Sequence, residues 1–220
     1  MEQKVVITND GSTSIYIEEW NESYHSKHGA IQEAYHVFIK SGLSLFKGES
    51  VSILEIGFGT GLNALITLKE TLNLEQNIDY VGVEAYPVSE VVVKQMNYVS
   101  ELNADLTSEF NCFHSMDWEK KEAISPTFFL TKVKRKFQDI DFINQFDLIY
   151  FDAFGFRVQP ELWSTEIFTL MYQALKNDGV LVTYACRTSI KNAMKESGFI
   201  VEKLPGAPGK REMLRAVKKL

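Results

Sequence analysis

Hydrophobic positions along the chain alternate between two rhythms. Short, largely apolar runs occupy residues 51–54, 80–84, 146–152 and 180–184, as in strands buried on both faces. Between them apolar residues recur at helical spacing: Leu62, Leu65 and Ile66 after the first run, then residues 88–99, 162–175 and 190–197. Asn111-Cys112-Phe113-His114 reads as one more strand, third in order along the sheet. Residues 199–204 and 213–217 read as two closing strands joined by a loop rich in Pro and Gly. The pattern predicts an α/β fold with a doubly wound, mostly parallel sheet and a C-terminal antiparallel hairpin. A small N-terminal extension over residues 1–45 precedes it. There Asn9-Asp10-Gly11 is a turn signal between residues 5–8 and 14–17, and Ile31, Ala34, Tyr35 and Phe38 share one face of a helix over 30–41.

Residues 119–145 break the rhythm. Phe128, Phe129, Val133 and Phe137 alternate there with basic residues, which reads as an insertion on the edge of the sheet. All 220 residues are expected to form a single domain, a length sufficient for a full α/β core. No apolar run approaches the ~18 residues of a membrane span, and residues 1–12 lack the apolar stretch of a signal peptide. Cys112 and Cys186 make no disulfide framework, so a reducing cytoplasm is the expected location. A net charge of −6 argues against indiscriminate binding to polyanions, though a local basic patch suffices for RNA. The patches available are Lys132 to Lys136, expected to be a solvated face, and Lys210-Arg211.

The turn after the first apolar run carries the chemistry. Glu55 stands near the strand's end, followed by Gly57-Phe58-Gly59-Thr60-Gly61-Leu62-Asn63. A dinucleotide site wants G-x-G-x-x-G, whereas here the third glycine comes one residue early. G-x-G-x-G behind an acidic strand end resembles the Rossmann-like turn with which class I methyltransferases bind S-adenosylmethionine (SAM). Bare backbone lets a ligand lie against such a turn, and free N–H groups can hold its carboxylate. A purely structural turn is the alternative, so the later strand ends matter. Glu84 follows Gly57 by 27 positions, where an acid accepts hydrogen bonds from ribose hydroxyls. Asp117-Trp118 suits an adenine amino group and its flat face, or else lies on the surface and in the core. Asp152 closes the series. Four acids in register with a glycine turn mark the carboxyl edge of the sheet, where open α/β folds bind ligands.

Asp152 and the aromatic Phe154 lie where a methyl acceptor would approach. A carboxylate there can orient an amine and hold the ammonium that develops on it; capping the next helix or pairing with Arg157 is the structural alternative. An alkylamine has a free pKa of roughly 10, so it must be deprotonated first, and burial favours that. His25 and His28, beside Tyr24, form an H-x-x-H pair without a Cys or acid at matching spacing. Contact with substrate or cofactor is therefore expected rather than a metal. His36, Cys112, Cys186 and the three tryptophans, Trp20, Trp118 and Trp163, read as structural.

Several segments occur together in a fixed order: Asp10-Gly11-Ser12, residues 22–29 with Glu33, the glycine turn, Asp152-Ala153-Phe154 with Pro160-Glu161-Leu162-Trp163, and Gly209-Lys210-Arg211-Glu212-Met213. Over nearly the whole chain this resembles the methyltransferase domain of the MnmC family, which finishes 5-methylaminomethyl-(2-thio)uridine at the tRNA wobble position. The resemblance implies N-methylation by SAM of a 5-aminomethyl group in the anticodon region of tRNA. Upstream modifying enzymes would act through the same tRNA. It implies cofactor binding by Glu55, Gly57, Phe58, Gly59, Gly61, Asn63, Glu84, Asp117 and Trp118. It implies an acceptor side built from Asp152 and Phe154, with Tyr24, His25, His28, Lys210 and Arg211 on the substrate. No flavin motif is present, so a stand-alone methyltransferase without the oxidase of fused members is expected. Two positions depart from the family: Phe156 stands where a Pro is usual, and Arg187 where small residues are common. A small-molecule amine methyltransferase, a polyamine aminopropyltransferase and a non-catalytic SAM- or RNA-binding module are the alternatives.

Overall fold

Two antiparallel strands, β1 (Gln3–Ile7) and β2 (Thr13–Ile17), open the chain, and the short β3 (Glu22–Ser23) pairs with β2. Helix α1 (Ala30–Ala34) continues as a wider π-helical segment over Tyr35–Lys40, so the helix expected over 30–41 is present. The alternating core follows: β4 (Ser50–Ile56), α2 (Leu62–Thr71) and β5 (Asn77–Glu84). Next come three helices, α3 (Glu90–Val93), α4 (Tyr98–Glu101) and α5 (Thr107–Ser115), then β6 (Lys121–Ser125) and β7 (Phe128–Lys134). The chain ends with β8 (Phe146–Phe151), α6 (Thr165–Ala174), β9 (Leu175–Thr183), α7 (Thr188–Glu196), β10 (Ile200–Pro205) and β11 (Glu212–Val217). The structure, a computed structural model, describes residues 3–219.

Eight strands form one sheet in the order β10-β11-β9-β8-β4-β5-β7-β6. The five from β9 to β7 run parallel, and β10, β11 and β6 are antiparallel additions. After β4 the chain winds outward through β5 to β7, then returns to the other side of β4 as β8. The glycine turn therefore lies at the switch in strand order, where open α/β sheets carry their ligands. Strand periodicity divides the core in two. Ile53, Tyr80, Phe128 and Tyr150 pack against the α1–α2–α5 layer, while Leu54, Val83, Ile149 and Phe151 pack against α6 and α7.

Three expectations are corrected. Residues 111–114 are helical, because Leu106, Phe110 and Phe113 recur at helical spacing and α5 buries Phe110 and Phe113. The third parallel strand is β7, inside the segment read as an insertion; it pairs with β5 in parallel and with β6 antiparallel. Its alternation was masked by Lys132, which is 2% exposed, with its ammonium 4.7 Å from the centre of the Trp118 ring. Burial depresses the Lys132 pKa, so the basic run is not one solvated face. Finally, the helix expected over 88–99 is broken. Asn97 leaves it to accept from the Thr13 N–H (2.8 Å) and to donate from Nδ2 to the Gly11 carbonyl (2.9 Å), fixing the N-terminal hairpin to the domain.

Candidate active site

A cleft of about 950 Å³ opens beside the carboxyl ends of β4, β5, β7 and β8. Its floor is the glycine turn. Gly57 has φ +93°, and a Cβ there would lie 2.6 Å from the Asp152 carbonyl oxygen, so only glycine lets the turn pass the end of β8. Gly61, also left-handed, begins α2 without a side-chain cap. The first-turn N–H groups of a helix have no partner within it, which makes this end of α2 suited to an anionic group. The Gly59 N–H donates to Glu84 Oε2 (3.0 Å), and the Tyr86 N–H donates to Oε1 (2.9 Å). Glu84 is thereby fixed at the end of β5 with lone pairs to spare, and burial raises its pKa.

Beneath the floor runs a chain of polar contacts. The Asn63 amide Nδ2 donates to Glu55 Oε1 (2.8 Å) and to Asp152 Oδ2 (2.9 Å), and the Tyr80 hydroxyl donates to Glu55 Oε2 (2.9 Å). Glu55 is fully buried, and burial holds its pKa well above the carboxylate range. It does not line the cleft; it acts on Asp152 through Asn63, whose Oδ1 is buried without a partner among the described residues. Burial also lifts the Asp152 pKa to about 7; Glu33 adds to the rise, while Asn63 and Lys210 oppose it. At neutral pH this carboxyl is poised to accept or return a proton.

The cleft wall comes from the N-terminal extension. The Phe154 ring meets Trp20 and Tyr24 edge-on, at centroid distances of 5.1 and 4.9 Å. Arg157 does not pair with Asp152. Its Nη2 donates to the carbonyls of Trp20 (2.8 Å) and Asn21 (3.0 Å) and to Glu22 Oε2 (2.9 Å), holding the Trp20 loop in place. On the far side Lys210 pairs with Glu33, and its ammonium lies 4.0 Å from the Tyr184 ring centre. The Tyr184 hydroxyl donates to the Ala153 carbonyl (2.8 Å). The His28 ring packs against Gly209, where a Cβ would come within 2.3 Å of it. His25 Nδ1 is 3.1 Å from Ser14 Oγ, and burial lowers its pKa to about 4, so it is neutral at neutral pH.

The structure thus brings together Gly57, Gly59, Asn63, Glu84, Asp152, Phe154, Tyr24, His25, His28 and Lys210 along one cleft. Phe58 reaches it too, but its ring, on a residue 3% exposed, lies over Gly82 and supports the turn from within. Gly61 and Glu55 stand behind the lining. Arg211, Asp117 and Trp118 fall outside it; with the third strand moved to β7, Asp117 ends no strand. The corresponding place is held by Lys136, Phe137 and Gln138 beyond β7, facing Tyr86 and Pro87 beyond β5. Lys136, Phe137 and Gln138 were read only within an edge insertion, with Lys136 in a basic patch, and Tyr86, Pro87 and Trp20 were not foreseen. Alternation of Phe128, Leu130 and Lys132 was the available signal for the first three. The role of Trp20 depends on contacts across more than a hundred residues. Among the described residues no group of three or more His, Cys, Asp or Glu is placed to hold a metal ion, and no helix is long and apolar enough to cross a membrane.

Sheet order, a glycine turn at the switch point and an acid at the end of β5 define a class I methyltransferase fold. The chain belongs to the S-adenosyl-L-methionine-dependent methyltransferase family whose model matches residues 94–219. It is 30% identical over 217 residues to the tRNA 5-methylaminomethyl-2-thiouridine biosynthesis bifunctional protein MnmC of Leptospira interrogans, an alignment covering 90% of this chain and 32% of that protein. The chain therefore spans about a third of the length of the curated relatives it matches. Among solved structures, MNMC2 from Aquifex aeolicus superposes with a TM-score of 0.76 at 22% identity, covering 98% of this chain and 70% of that one. Spermidine synthase from Thermotoga maritima gives 0.56 at 16%, covering 98% and 69%. Both share the fold.

The cleft suits the family's cofactor. Gly59, at φ +51°, leaves open backbone on the turn, Glu84 offers free lone pairs, and the uncapped end of α2 offers N–H donors.

Proposed function

We propose that this chain methylates a primary amine, the 5-aminomethyl group of (2-thio)uridine at the wobble position of tRNA, giving 5-methylaminomethyl(-2-thio)uridine. The observation that carries the reading is Asp152, a half-buried carboxyl whose pKa is raised to about 7, beside the aromatic group of Trp20, Tyr24 and Phe154. A flat nucleobase fits against aromatic faces, and its aminomethyl arm then points to a carboxylate. The naming of the MnmC relatives supports the same substrate. A polyamine site would favour an enclosed acidic pocket; here Lys27, Lys136 and Lys210 line the cleft among the acids.

SAM, when bound, supplies an electrophilic methyl group on a sulfonium. Glu84 would hold its ribose, the uncapped start of α2 its carboxylate, and Lys136 to Gln138 with Tyr86 its base. Asp152 accepts the proton that frees the amine lone pair and passes it to solvent; as a carboxylate again, it can take the proton that the methylated ammonium releases. Asn63 fixes the carboxyl's orientation, and Glu55, held in turn by the Tyr80 hydroxyl, fixes Asn63. The aromatic wall excludes water from the reacting nitrogen. Such a reaction belongs in the cytoplasm, with tRNA delivered by the enzymes that install the aminomethyl arm.

Incubation with SAM and tRNA bearing the unmethylated arm, followed by nucleoside analysis, tests the reading. The methylaminomethyl nucleoside is the expected product. Its absence with a folded, SAM-binding protein refutes the proposal.

A further inference from the structure

Arg187 and Phe156, the two departures from the family pattern, meet. The Arg187 guanidinium lies over the Phe156 ring, 4.7 Å from its centre. Both sit one step outward along segments that already touch at the acceptor site. Tyr184 and Ala153 are joined by a hydrogen bond of 2.8 Å, and three residues beyond each come Arg187 and Phe156. Phe156 is four residues from Asp152, a reach of at most about 14 Å. The guanidinium is exposed and keeps its outer face and donors available.

A basic surface continues from this stack. Lys191 lies one helical turn beyond Arg187 on α7, with the Lys191 N–H bonded to the Arg187 carbonyl (3.0 Å). Cys186, next to Arg187, donates weakly to Glu212 (3.5 Å), which also binds Lys203 (2.7 Å). Arg211 and Lys203 both act electrostatically on Glu212. Lys203 and Arg211 thus face Glu212, and Lys191 acts with Lys203 on the neighbouring Cys186, on a chain whose net charge is −6.

We propose that the Arg187–Phe156 stack, with the basic surface beside it, is the landing site for the RNA strand flanking the target nucleotide. A flanking base stacks on the guanidinium plane, which Phe156 holds flat, and neighbouring phosphates meet Lys191, Lys203 and Arg211. Guanidinium planes and aromatic faces are what unpaired bases stack on, and cations beside the stack hold the flanking phosphates. This inference rests on the proposed RNA substrate and adds which rim holds it.

The test compares wild type, Arg187→Ala, Arg187→Lys and Phe156→Leu in steady-state methylation of tRNA bearing the aminomethyl arm, at several salt concentrations. Arg187→Ala should raise KM for tRNA about tenfold, the order of one lost stacking contact, and retain turnover at saturating tRNA. Arg187→Lys, with a charge but no plane, should recover the salt dependence and not the affinity. Phe156→Leu should weaken tRNA binding with the salt dependence intact. In Arg187→Ala the slope of log affinity against log salt should fall by about 0.7 for a single-stranded contact. Arg187→Ala with wild-type KM and slope overturns the inference alone. A wild type that methylates no tRNA overturns the functional reading, and this inference with it.

Discussion

Replacing Asp152 by Asn removes a charge and keeps the shape. Burial lifts this carboxyl from the ordinary 3.8 to about 7. Between those values the folded protein keeps a proton that the unfolded chain releases, so the folded state loses stability as pH rises through the window. The loss is absent below the lower value and complete above the upper one. Three pK units correspond to about 4 kcal/mol, and the part falling between pH 5.5 and 8 is about 2 kcal/mol. Water in the cleft reduces that to about 1–2 kcal/mol. Asparagine carries none of this cost and still accepts the hydrogen bond from Asn63. Relative to wild type, Asp152→Asn should therefore gain about 1–2 kcal/mol between pH 5.5 and pH 8, read from urea midpoints at unchanged slope. Groups that do not sense Asp152 cancel between the two proteins, and Glu55, whose pKa Asp152 helps to raise, shifts back down in the variant. The same variant should lose methyl transfer by a factor of about 10²–10⁴. A stability difference that is flat with pH, or that shrinks toward pH 8, would refute the assignment of a buried, proton-holding carboxyl.

Lys210→Met should shift the acid limb of the kcat/KM profile upward in pH, because Lys210 holds the Asp152 pKa down; a pH–rate series checks the direction. Gly82→Ala should destabilise the fold by about 1–3 kcal/mol, as overpacking does, since the new methyl would meet the Phe58 ring at 2.3 Å. Urea denaturation reads the loss, and SAM titration should weaken in step as the turn is displaced.

Where the sequence was informative, a local rule governed the structure. The change from strand to helix rhythm around Gly57, Gly59 and Gly61 is written in thirteen consecutive residues, so cofactor turn and switch point were both legible. Asp152 was legible for the same reason, standing at the end of an unbroken apolar strand. The strand β7 was not, because the buried Lys132 and the exposed Phe129 and Lys134 gave it the composition of a surface segment. The short window at 111–114 hid a helix whose period shows only when Leu106 and Phe110 are included. Asp117 was misplaced as a consequence. The Trp20 wall and the Arg187–Phe156 stack were beyond any local rule, since each joins segments far apart in the chain.

The pairing of Glu33 with Lys210 spans 177 positions, and the contact of His28 with Gly209 spans slightly more. Contacts of such separation form late, because the loop they close costs entropy that earlier packing must offset. The glycine turn and β4–β5 need only neighbouring segments. During synthesis the glycine turn and the aromatic wall can therefore take shape first, while the Lys210 side of the cleft waits for the β10–β11 hairpin to dock. A chain stalled before residue 209 would hold Trp20, Tyr24 and Phe154 but leave Glu33 and His28 without the partners that close the cleft's far side.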